Sequence, residues 1–116
     1  MSDRELLELA AKAAGYTVRY VSDGNGGGSF YMEPSQLWWN PLTDDGDALR
    51  LAVKLKFDIY HYPRDSEPYV SVHDEYNHFG GSSEDYGNDP AAATRRAIVH
   101  AAAEIGKAMS KVPNVG

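Results

Sequence analysis

The apolar pattern of the chain changes period at Leu55. Before it, Ala48, Leu49, Ala52 and Val53 recur at helical spacing. From it onward, Leu55, Phe57, Ile59 and His61 alternate with Lys56, Asp58, Tyr60 and Tyr62, the two-residue period of a strand. A helical stripe followed by a strand with one apolar face fits an α+β arrangement in which helices cover antiparallel strands. Asp44, Asp45 and Asp47 fall in the first turn of this helix, with Thr43 or Asp44 as its cap, where carboxylates complement the positive end of the helix dipole. Arg50 and Lys54 are expected to face water.

The rest of the chain fits the same plan. Ser2-Asp3-Arg4-Glu5 has the spacing of a capping box, and Leu6, Leu7, Ala10, Ala13 and Ala14 follow as a helical stripe, so a helix is predicted over residues 3–14 with Gly15 as its left-handed stop. Residues 16–21 and 29–33 are β-branched and aromatic, and Asp23 to Gly28 between them accepts positive φ at nearly every position, which predicts a hairpin. Pro34 ends the second strand, and residues 35–42 read as an irregular, partly apolar connection. Residues 69–73 pair with the strand before Pro63 in a second hairpin, and Asp74 to Asn88 forms a long polar loop. Asp89-Pro90 opens a last helix over residues 90–111, whose stripe is Ile98, Ala101, Ala102, Ile105, Met109 and Val112. The expected order is α-β-β-α-β-β-α in one domain spanning residues 1–116, an antiparallel sheet of about four strands packed by helices.

Composition removes several functions. The 17 acidic and 11 basic side chains leave a net charge of −6, which repels phosphate backbones and argues against a duplex nucleic-acid binder. The absence of cysteine rules out disulfides, thiolate zinc sites and a cysteine nucleophile. No apolar run reaches the roughly 20 residues that span a bilayer, and the first residues read as a polar helix, so a soluble, cytoplasmic protein is expected.

The chemistry-bearing residues are scattered. Asp44-Asp45-Gly46-Asp47 suggests a cation loop, but a calcium loop needs alternating carboxylates and a bidentate Glu at its end, where this chain has Leu55. His61, His73 and His78, with Glu75, form the best metal or acid–base set, on the condition that the second hairpin brings them together. Ser71, Ser82 and Ser83 lack a nucleophile-elbow context. The glycine loop lacks the following helix that a phosphate loop requires. Adjacent Trp38 and Trp39 point to opposite sides of an extended segment, one into the core and one outward. Arg95 and Arg96, early in the last helix, have the chemistry to hold a phosphate or carboxylate. Trp38, Trp39, Tyr60, Tyr76, His78, Arg95 and Arg96 are therefore the candidate ligand-binding residues, and no cofactor is implied.

Leu6 to Gly15, Trp39-Asn40-Pro41-Leu42-Thr43-Asp44 to Ala52, and Asp89-Pro90-Ala91-Ala92-Ala93-Thr94-Arg95-Arg96 to Gly106 together resemble the phage ABA-sandwich-like domains. These share a helix, a Trp-x-Pro-x-x-Asp tract, strands and an alanine-rich last helix. The resemblance implies a phage or prophage accessory protein made inside a bacterial host cell, and carries no catalytic residue across. In that setting the leading expectation is a non-catalytic binding protein for counter-defence, sequestering a small nucleotide-derived signal, with a homo-oligomer interface as one place to hold it. The alternatives are a module that binds and inhibits a bacterial host protein, and a metal-assisted phosphodiesterase.

Overall fold

The computed structural model describes residues 1–62, 67–74 and 81–111. The first helix, α1, runs Asp3–Ala14. The Ser2 hydroxyl accepts from the Glu5 N–H at 3.1 Å, and Glu5 answers by accepting from that hydroxyl at 3.3 Å. Gly15 ends the helix at φ 74°, its N–H turned back to the carbonyls of Ala11 and Lys12. Helix α2 spans Asp45–Lys54 and is capped by Asp44, and α3 spans Pro90–Lys111. Among the described residues no helix is long and apolar enough to cross a membrane.

Each of the first two helices is followed by three strands. β1 (Thr17–Ser22), β2 (Gly28–Glu33) and β3 (Leu37–Trp39) form one antiparallel meander, sheet A. β4 (Asp58–Tyr62), β5 (Tyr69–His73) and β6 (Ser82–Asp85) form another, sheet B. The α+β class stands, but the single sheet of about four strands is replaced by two sheets of three. β3 falls in the segment expected to be irregular. It has only three residues between Pro34 and Pro41, too short to display an alternation, and pairs Trp39 with Phe30 and Trp38 with Tyr31. β6 falls in the expected long loop; Ser82-Ser83-Glu84-Asp85 has no apolar residue, and pairing with β5 makes it a strand.

Two further expectations are corrected. The strand after α2 begins at Asp58 rather than Leu55, because Lys56 turns left-handed (φ 56°) and the Phe57 N–H closes back on the Ala52 carbonyl at 2.9 Å. Leu55 and Phe57 still pack on the core, but from a turn. The buried stripe of α2 is Ala48, Leu51 and Ala52, whereas Leu49 and Val53 are 61% and 67% exposed. Spacing alone does not distinguish these stripes, since Ala48 and Ala52 belong to both.

α3 is the shared wall of the molecule, packing against α1, α2, β5 and β6. Ala93, Ala97, Ile98, Val99, Ala101, Ala102 and Ala103 are all buried, more of the circumference than one stripe, as a helix packed on several sides requires. Met109, placed in the stripe by sequence, is 46% exposed, and Val112 lies outside the described residues. The alanines of α1 and α3 let the two helices come close. A Cβ added at Gly106 would lie 2.0 Å from the Leu9 carbonyl oxygen. Tyr20, Phe30 and Trp39 on the inner face of sheet A join this core, with the Arg4 guanidinium of α1 lying 3.8 Å from the centre of the Tyr20 ring.

Candidate functional site

Alternation along β3 sends its two tryptophans to opposite faces of sheet A. Trp39 is 3% exposed and meets Tyr16 edge-on at 5.9 Å. Trp38 is 60% exposed and lies edge-on to Tyr31 at 5.1 Å, with Arg19 over the other end of that row, 5.4 Å from the Tyr31 centroid. Both tryptophans border one cleft of about 590 Å³ between the β2–β3 end of sheet A and the first turns of α2. Tyr16, Met32 and Leu37 complete its apolar wall, and Asp44, Asp47 and Arg50 form the opposite one.

The polar wall is built by the α2 cap. The Asp44 carboxylate accepts from the Asp47 N–H at 2.8 Å. Asp47 accepts from the Asn40 N–H at 2.9 Å through one oxygen and from Arg50 at 2.8 Å through the other. Arg50 also lies 3.8 Å from Asp44. The hydrogen bond that Arg50 donates to Asp47, then the charges of Asp47 and Asp44, hold the guanidinium above its ordinary pKa. Two carboxylates and one guanidinium leave this wall with one net negative charge at neutral pH.

The other predicted residues do not join Trp38 and Trp39. Arg95 is 17% exposed and spent within the fold, donating to the Leu42 carbonyl at 2.9 Å and to Asp45 at 2.6 Å. Arg96 lies 3.7 Å from Asp3. Tyr60 stands on the outer face of sheet B, and Tyr76 and His78 lie outside the described residues.

The histidine set is divided by register. His61 pairs opposite Val70 and His73 opposite Asp58, so the two imidazoles project from opposite faces of sheet B and share no ion. His61 is hydrogen-bonded to the Tyr86 hydroxyl on the inner side, and His73 to Ser71 at 2.6 Å on the outer. Among the described residues no His, Asp or Glu cluster has the grouping of a metal site. The Ser71–His73 pair resembles half of a hydrolytic triad. Ser71, however, is only 5% exposed and also accepts from the Ser83 hydroxyl at 3.3 Å, so its oxygen is satisfied and screened from a substrate carbonyl. In the glycine loop, the Asp23 carboxylate takes the N–H groups of Asn25 (2.7 Å) and Gly27 (3.2 Å), occupying the place of a bound anion.

Sequence reasoning flagged the two tryptophans but missed the cleft, because its polar wall is made of residues already explained as helix capping. Comparison with protein-family models, curated proteins and solved structures returned no match.

Proposed function

We propose that the protein is a non-catalytic binding protein that holds a flat ligand in the Trp38 cleft, and that the ligand is a nucleotide-derived small molecule gripped by its base. The observation that carries this is Trp38 itself, 60% exposed at the rim of an apolar-walled cleft. Stacking of a base on an aromatic ring contributes about 1–3 kcal/mol. The facing carboxylates of Asp44 and Asp47 are acceptors for the N–H edge of a base, and Arg50 is a donor for its carbonyl.

The charge of that wall decides which end of a nucleotide is recognised. A net negative wall disfavours phosphates, and Arg95 and Arg96 are engaged by Asp45 and Asp3. The phosphates therefore point to solvent and the base supplies the affinity. In the phage accessory setting that the sequence resembles, such a protein lowers the free concentration of a nucleotide immune signal without consuming it.

Titration of Trp fluorescence with cyclic di- and trinucleotides, ADP-ribose derivatives and the matching nucleosides tests this reading. At least one base is expected to quench saturably, with nucleoside and nucleotide within a few-fold of each other. Trp38→Ala should weaken binding by about tenfold, one stacking contact. Lack of quenching by every base, or full affinity in Trp38→Ala, refutes it.

A further inference from the structure

We propose that the Trp38 cleft selects guanine among the bases, which makes its ligand a guanine nucleotide, a refinement that rests on base binding in that cleft. The order of donors and acceptors along the polar wall carries it. Asp44 and Arg50 stand side by side there, 3.8 Å apart, with side chains 58% and 68% exposed. Asp47 is only 14% exposed and is already turned to Arg50 at 2.8 Å and to the Asn40 N–H at 2.9 Å, so Asp44 is the carboxylate better placed to meet a ligand. Gly46 fixes where the guanidinium rests. A Cβ there would lie 3.1 Å from both Nη atoms of Arg50 and 3.2 Å from the Asp44 carboxylate, so Arg50 folds back over the bare first turn of α2. One charged acceptor and one charged donor thus occupy neighbouring places before any ligand arrives, which lowers the ordering cost of binding.

Each base shows such a wall a different edge. Guanine carries neighbouring N–H groups on N1 and N2, followed by the O6 carbonyl. Its N–H groups match the two oxygens of one carboxylate, and O6 then falls beside the guanidinium. The Asp44 oxygen that caps α2 has a second lone pair, so capping and base recognition can use the same carboxylate. Adenine has one amine next to a ring nitrogen and meets the carboxylate with a single N–H. Uracil has one N–H flanked by carbonyls, so a two-point contact sets a carbonyl oxygen against a carboxylate oxygen. Cytosine has one amine, and the rest of its edge only accepts. The carboxylate surplus of this wall therefore favours the base whose edge carries the most N–H groups. Two-point, charge-assisted contacts are the stronger kind, and leaving half of one unmade is what discriminates against the wrong ligand.

Calorimetric titration of the full chain with the 5′-monophosphates of guanosine, inosine, adenosine, cytidine and uridine (GMP, IMP, AMP, CMP and UMP) tests the assignment. GMP is expected to bind best, with IMP about tenfold weaker because it lacks only the N2 amine, and AMP, CMP and UMP weaker than GMP by about tenfold or more. Asp44→Asn keeps the cap, since asparagine caps helices as well as aspartate does, but it replaces one of the two acceptors by a donor. It should weaken GMP about tenfold and bring the GMP-to-IMP ratio to within about twofold. Trp38→Ala, by contrast, should weaken every nucleotide by a similar factor and leave the ratios unchanged. Far-UV circular dichroism shows that each variant keeps its helices. Equal binding of GMP and IMP, tighter binding of any other base, or an unchanged GMP-to-IMP ratio in Asp44→Asn overturns the guanine assignment and leaves base binding in the cleft standing. Absence of binding by every nucleotide removes both.

Discussion

Gly106 offers a test in which packing and helix propensity predict opposite signs. In an unconstrained helix interior, Gly→Ala stabilises by about 1 kcal/mol. At Gly106 the added Cβ would lie 2.0 Å from the Leu9 carbonyl oxygen, 2.8 Å from its carbon and 3.2 Å from its Cα. All three atoms are backbone, so no rotamer change in α1 relieves the contact, and the helices must separate by about 1 Å or more. That movement loosens Leu6, Leu7, Ala10 and Ala11, all buried on α1. Overpacking that cannot relax belongs at the upper end of its usual range, about 3 kcal/mol. After the propensity gain, Gly106→Ala should be destabilised by about 2 kcal/mol, lowering Tm by about 8 °C. Urea and thermal unfolding followed by circular dichroism measure both quantities. Lys107→Gly, exposed one position further along, calibrates propensity in the same helix and should lose about 1 kcal/mol. An increase in stability for Gly106→Ala would refute the close approach of α1 and α3.

Other substitutions separate further parts of the structure. Trp39→Ala empties a core site and should cost about 3–5 kcal/mol, whereas Trp38→Ala should change stability by less than about 1 kcal/mol; chemical denaturation of the pair reads both. Lys56→Gly should stabilise by about 0.5–1 kcal/mol, since it relieves a left-handed residue at φ 56°, and a drop in the denaturation midpoint would contradict that turn. Arg95→Ala removes charged hydrogen bonds to Leu42 and Asp45 and should cost about 2 kcal/mol, with Arg95→Lys recovering only part because one ammonium does not reproduce the two-sided donor; thermal shift compares them.

The helices were legible because their ends carry specific chemistry: the Ser2 and Asp44 caps, the stop at Gly15 and the Asp89-Pro90 start all act where local rules place them. The short strands were not legible. β3 and β6 owe their conformation to the ladder beside them, which no local window displays. The division of the strands into two sheets of three, with α2 between them in chain order, was not legible because both topologies share the same alternation. The site was half legible. Adjacent tryptophans had to face opposite ways, but the separation of His61 from His73 needed the register, and the mixed-charge wall needed Asp44, Asp47 and Arg50 in one place.

The seam between α1 and α3 also bears on the order of folding. Leu9 and Gly106 meet although almost the whole chain lies between them. Closing so large a loop loses entropy before any contact compensates for it, and topologies rich in such contacts fold slowly. During synthesis α1 and sheet A can form early, but the alanine face of α1 has no neighbour to cover it until the last helix has left the ribosome. That apolar surface therefore stays uncovered until residues 90–111 have been made, and burying it closes the long loop between α1 and α3.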